Sequence, residues 1–310
     1  IIMFTQPFPT NIDSSFAVGV QSITAILAAF FIYRKAYSYG DKKVHTSLLF
    51  IAFGVLAAAV AGGIMTVFYA IGVNNYQLIT NIVNTIYAIS IPFTVIGFLL
   101  FPVSTKIVGS KLSSLLDGLL VATSIWLAAY VIWLAPLGTG GSNYMVESLV
   151  YLAGSVFVIG VALSVLGRAN QQHQTLLRIL ILGTSLWALS NLIHLIVGTK
   201  TGTAGPGGWV AVISEIGILV LCGTGFVTQG TLAPGEEKNR PFPSTVFSVI
   251  PFLLITLAWA LTSAVVFGGK PLSDIGRIIT IVIVDLLIVR LISSWLDYNR
   301  LTIRLADSDK

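Results

Sequence analysis

The sequence predicts an all-α fold, a polytopic membrane bundle of about nine transmembrane helices. Three observations carry that prediction. Hydrophobic residues make up 55% of the 310 residues and charged residues only 9%, whereas a soluble domain is about a quarter charged. Nine separate runs are apolar enough to cross a bilayer, which takes about 20 residues of helix. The lysines and arginines between these runs also fall mostly on one side. Hydrocarbon offers no partner to a backbone N–H or C=O, so a span must be a helix or part of a closed barrel, and runs of this length fit helices.

The first span, 15–34, follows Thr5-Gln6-Pro7 and Asp13-Ser14-Ser15, with no basic stretch and no small-residue cleavage site. It is read as a retained helix, not a signal peptide. The second, 47–72, is the longest and holds Gly62-Gly63, where a tilt or kink is expected. The third, 78–101, carries Asn81 and Asn84 and is expected to be interrupted at Pro92. The fourth, 113–134, has Asp117 near its inner end, read as a helix-end residue facing loops or water. Glu147 opens the fifth, 146–167, and Asn191 and His194 lie in the sixth, 174–197. The seventh, 207–228, holds Glu215 and the sole cysteine, Cys222, to which a packing role is assigned because no CxxC is present. The eighth, 244–267, contains Pro251, and the ninth, 274–296, runs without a break into a polar helix.

Positive charge on alternate loops sets the orientation. Arg34, Lys35, Lys42, Lys43, Lys106, Lys111, Arg168, Arg178, Lys238, Arg240, Arg300, Arg304 and Lys310 share one side, against Lys200 and Lys270 on the other. The amino terminus is therefore predicted outside and the carboxyl terminus in the cytoplasm, in a plasma-membrane protein. This distribution also accounts for the net charge of +5, so the charge gives no reason to expect nucleic acid as a partner.

SLLFIAFGVLAAAVAGGI from Ser47 lies over TLLRILILGTSLWALSNLI from Thr175, so the sixth span resembles the second. The preferred architecture is a parallel four-plus-four pseudo-repeat with a ninth, connecting helix. Residues 1–272 form the membrane bundle and 273–310 the last span with its cytoplasmic linker.

The last helix gives the clearest indication of mechanism. Leu287, Leu291, Ser294, Tyr298, Leu301, Leu305 and Ser308 recur every three or four residues, a heptad seam running across the membrane surface past Trp295. Such a narrow stripe suits a homodimeric parallel coil. Two serines weaken the coil, and a weak coil can shift between packing states, as a transmitter must. The competing reading is an amphipathic tail lying on the headgroups.

LLDGLLVATSIWLAAYVIWLAPL from Leu115, LGTSLWALSNLIHLIVG from Leu182 and GPGGWVAVISEIGILVL from Gly205 resemble the multi-span amino-terminal half of bacterial signalling proteins that carry cytoplasmic GGDEF and EAL domains. LTIRLADSDK from Leu301 looks like the linker helix before a GGDEF domain. The resemblance covers the chain from about the second span onward. It implies a sensor for an output domain beyond Lys310 that makes or degrades cyclic di-GMP, using GTP and magnesium. Neither a GGDEF nor an EAL sequence is present in the chain, so no catalytic residue carries over. A histidine kinase with a similar sensor half is the alternative.

Polar residues inside spans are costly and mark either function or helix contacts. By topology Asn81, Asn84, Glu147, Asn191, His194, Glu215 and Arg277 all fall toward the outer side, where they could converge on one ligand pocket for a small molecule or lipid. Glu215 is the leading candidate, needing His194, Arg277, water or a ligand cation as its partner. Asp285 and Arg290, five residues apart on the ninth span, do not suit an i to i+4 bridge, so one or both are expected to pair with neighbouring helices. Only His194 lies in a span, short of the two axial histidines of a haem-b cytochrome. No lysine lies at the depth a retinal protein needs, and HExxH, GxGxxG and GxxxxGKS/T are missing. No metal or cofactor is therefore expected within these residues. The competing function is a small-solute transporter or a membrane partner-binding subunit, since parallel repeats with buried carboxylates also build carriers. Pro92 and Pro251 do not correspond in the repeat, which argues for the sensor.

Overall fold

The computed structural model describes residues 10–71, 76–102, 111–131, 143–166, 169, 171–201, 209–227, 256, 258, 260 and 274–308. Among them are eight α-helices and no sheet: α1 Thr10–Ser38, α2 Lys42–Ile71, α3 Tyr76–Leu100, α4 Lys111–Ala129, α5 Asn143–Leu166, α6 Gln171–Thr201, α7 Trp209–Cys222 and α8 Asp274–Ser308. A 3-10 turn, Gly223–Phe226, extends α7.

Among the described residues four stretches are long and apolar enough to cross a membrane: Phe16–Ser38, Lys42–Phe68, Ile82–Leu100 and Gln172–Ile193. Leu115–Ala128, Ala153–Leu166 and Ala211–Phe226 are shorter apolar helices. The predicted eighth span, 244–267, lies outside the described residues except for Thr256, Ala258 and Ala260.

The helices begin and end for local reasons. Asp41 caps α2, its Oδ1 accepting the Lys43 amide at 2.8 Å, which satisfies one of the orphan N–H groups of the first turn. The interruption expected at Pro92 does not break its helix. Chain α2 runs through Gly62-Gly63, and α3 runs through Pro92, since a membrane helix can keep its course past a proline when neighbouring groups take up the freed backbone.

Six helices close a cycle of packing. Each of α1, α2, α3, α5, α6 and α7 lies against the next, and α7 returns to α1. One core draws on all six, including Ile32, Leu48, Phe98, Val161, Leu180 and Leu221. Outside the cycle, α4 packs on α5 and α8 packs on α4. Ala258 joins α4 and α8 in a second apolar cluster with Leu120, Leu127, Ile279 and Ile283.

Small residues set the closest approaches, as in membrane bundles where dispersion and hydrogen bonds replace the hydrophobic drive. A Cβ on Gly160 would lie 2.8 Å from the Gly118 Cα, which brings the α4 and α5 backbones together. Between α2 and α3, the Ser47 hydroxyl donates to the Gly97 carbonyl at 2.6 Å. The outward faces carry large apolar side chains at seven-residue intervals, Phe53, Val60 and Val67 on α2 and Ile82, Ile89 and Ile96 on α3, all exposed. Faces of that kind suit lipid rather than water.

Candidate functional site

Two polar features interrupt this apolar bundle. The first is a cavity of about 40 Å³ inside the six-helix cycle, lined from α2, α3, α5, α6 and α7 by residues that include Tyr87, Ser90, Thr94, Ser155, Thr184 and Trp187. None of the lining residues is charged. The volume holds a few waters at on the order of 10–15 Å³ each. Asn191 ties one wall together, its Nδ2 donating to Ser155 Oγ at 3.2 Å and to the Tyr87 hydroxyl at 3.5 Å. Tyr87 also hydrogen-bonds Ser155 and stands edge-on to Trp187, with ring centroids 5.9 Å apart. Ser90, Thr94 and Thr184 donate to carbonyls of their own helices, so their oxygens present lone pairs. Toward the cavity these three hydroxyls are hydrogen-bond acceptors.

The second feature is a buried ion pair. Arg290 on α8 donates from Nε to Asp117 Oδ1 on α4 at 2.6 Å and from Nη2 to Oδ2 at 3.5 Å. Ser164 on α5 donates to the same Oδ2 at 3.3 Å. The two charged side chains are 11% and 7% exposed. Asp117 is therefore not a helix-end residue facing loops or water. It sits six residues into α4, about 9 Å along the axis, where the Arg290 guanidinium and the Ser164 hydroxyl compensate its charge.

The other sequence-predicted residues are described in part. Glu215, on α7, has its Oε2 buried without a hydrogen-bond partner among the described residues, and its helix neighbours Ala211 and Cys222 touch α1 through Gln21 and the Thr24 carbonyl. Asn84 is half-buried on α3, while Arg277 and Asp285 are exposed on α8. The side chains of Asn81, Glu147 and His194 lie outside the described residues. Among the pocket candidates whose side chains are described, Asn191 contacts the cavity group, through Tyr87 and Ser155.

The ridge of the last helix that faces the bundle lies beside the stripe expected to take a second copy. Gly276, Ile279, Ile283, Leu286, Arg290 and Ser293, spaced three and four apart, form the side that is buried or partly buried. Leu287 lies at its border, packed against the second cluster, and Leu291 is 57% exposed. Tyr298, Leu301 and Leu305 continue the helix, their side chains outside the described residues.

Tyr87, Ser155 and Trp187 were not singled out from sequence. An aromatic hydroxyl in mid-span was the available signal. The Asp117–Arg290 pairing had a stronger one, because both residues lie near the cytoplasmic ends of their spans by the charge topology, and each needs an opposite charge at equal depth.

Comparison with protein-family models, with curated proteins and with solved structures returns no match.

Proposed function

We propose that this chain is the membrane sensor of a signalling protein, oriented with its amino terminus outside and its carboxyl terminus in the cytoplasm. Its bundle responds to a small ligand or to the state of the bilayer, and α8 relays that response to a cytoplasmic output that makes or degrades cyclic di-GMP. The observation that carries this reading is the attachment of α8. This helix has 35 residues, far more than the roughly 20 a bilayer requires, and the buried Arg290–Asp117 pair ties it to α4. A long helix held to the bundle at a charged point can carry a change of packing along its length, which is what a relay needs.

The nine-span, four-plus-four reading belongs to the same proposal. Helices α1–α3 and α5–α7 occupy successive halves of the six-helix cycle. Gly54 on α2 meets Ser90 and Thr94, four apart on α3, while Gly183 on α6 meets Gly217 and Leu221, four apart on α7. The equivalence supports a duplicated unit, with the cavity between its halves. The output domain beyond Lys310, with its GTP and magnesium, and a homodimer through positions 298, 301 and 305 complete the proposal.

The same pseudo-symmetric cavity is the observation that favours a small-solute carrier instead. A double-mutant cycle separates the two. Asp117→Asn and Arg290→Gln, singly and together, are read for cyclic di-GMP in cells. Strong non-additive change in the nucleotide level supports the relay; unchanged nucleotide with altered solute uptake supports the carrier.

A further inference from the structure

The face of α8 turned away from α4 is apolar and exposed around the Asp285 carboxylate, with Arg277 exposed at its edge about two turns away. Ile278, Ile281, Asp285, Ile288, Ile292 and Trp295 recur at intervals of three and four, and every one of them is exposed. Val282, Val289 and Leu296 widen the same face and are exposed as well. Asp285 lies 11 residues past Asp274, the start of the helix, about 16 Å along the axis, and so close to the middle of a bilayer about 30 Å thick. A carboxylate at that depth against lipid tails is costly, and ionisable residues at such positions face protein or water.

The surroundings narrow the choice of covering group. The bundle takes the opposite ridge through Ile279, Ile283 and Arg290, and Arg290 is committed to Asp117. In a helix of 3.6 residues per turn, positions 298, 301 and 305 fall about 140–160° around from position 285. A second copy joined through that cytoplasmic seam therefore stands on the far side of the helix from Asp285, and this step rests on the dimer reading above. A second copy placed on the Asp285 face would set two identical carboxylates against each other across its two-fold axis.

We propose that the Ile278–Trp295 ridge docks a transmembrane helix of a different protein that carries one arginine or lysine at mid-span, paired with Asp285. The apolar ridge supplies knobs for packing, and the single charge pair fixes register and partner, as one polar position does in a coiled coil.

The test uses the full chain in neutral phosphatidylcholine vesicles and three synthetic Leu-rich peptides of about 20 residues, with Arg, Leu or Asp at the centre. Association is read by energy transfer between labelled chain and labelled peptide. The expected result is at least tenfold tighter association of the Arg peptide than of the Leu or Asp peptide, lost in Asp285→Asn and kept in Glu215→Gln. Circular dichroism of Asp285→Asn checks that helical content is unchanged, and Ile288→Ala, which keeps the charge and trims the ridge, should weaken the Arg peptide by a smaller factor. Equal binding of the three peptides, or full binding by Asp285→Asn, overturns the proposal. So does energy transfer between two copies of the chain that depends on Asp285 while the Arg peptide stays unbound, which gives the ridge to a second copy. Crosslinking at position 298 reports on the cytoplasmic seam independently, so failure there is distinguishable from failure at Asp285.

Discussion

Arg290 and Asp117 join the last helix to the bundle through a charge pair with Nε to Oδ1 at 2.6 Å, completed by the Ser164 hydroxyl at 3.3 Å. Both partners lie out of water, so each depends on the other. Removing one partner of a buried pair costs about 3–5 kcal/mol, whereas replacing both with apolar residues is often neutral. Asp117→Asn and Arg290→Gln should each destabilise the protein by that order, and Asp117→Leu with Arg290→Leu should recover most of the loss. Thermal unfolding in lipid nanodiscs checks it, and equal losses in the single and double variants would refute the coupling.

The same junction depends on Gly118 and Gly160. A Cβ on Gly160 would fall 2.8 Å from the Gly118 Cα and 3.1 Å from its carbonyl oxygen, so Gly160→Leu must force α4 from α5. A loss of about 1–3 kcal/mol or more is expected for such overpacking. Gly63→Ala is the internal comparison, because nothing lies within 4 Å of its added Cβ. Denaturant titration of both variants should separate them clearly.

Asn191 bridges Tyr87 and Ser155 on the cavity wall. Interhelical hydrogen bonds in membranes average about 0.6 kcal/mol. Asn191→Leu should therefore leave folding nearly intact while changing the response, because it removes the amide that orients the wall. Cellular cyclic di-GMP, measured together with thermal stability, tests this. A stability loss large enough to explain the response by itself would assign Asn191 to structure alone.

Glu215 has a buried carboxylate oxygen without a partner among the described residues. Glu215→Gln keeps the shape and removes the charge. Membrane insertion should be unchanged and signal output altered, and an unaltered output takes Glu215 out of the mechanism.

Past the membrane, cysteines at positions 298 and 301 should crosslink between copies more than cysteines at 299 and 302. Equal yields from the four positions would contradict the dimeric seam.

Helices were legible in the sequence because apolar runs leave the backbone one solution in lipid. The predicted spans 15–34 and 174–197 lie within α1 and α6. Pro92 misled because proline breaks helices readily in water, yet α3 continues through it. The site was less legible, since a side chain's partner depends on which helices become neighbours, and that follows from interhelical packing. Depth alone could match Asp117 with Arg290; only the packing of α4 against α8 brings them together. The seam expected to take a second copy and the ridge that faces the bundle are neighbouring stripes of α8, Leu287 and Leu291 beside Leu286 and Arg290. An apolar span offers several heptad ridges, and hydropathy does not rank them.

The most direct measurement of the central claim is turnover of GTP and cyclic di-GMP in membranes by the reading frame carried past Lys310, with Asp117→Asn beside the unaltered protein. Turnover that changes by severalfold when the Asp117–Arg290 pair is broken is the predicted result. No turnover of either nucleotide, or turnover indifferent to the pair, would contradict a sensor that signals through its last helix.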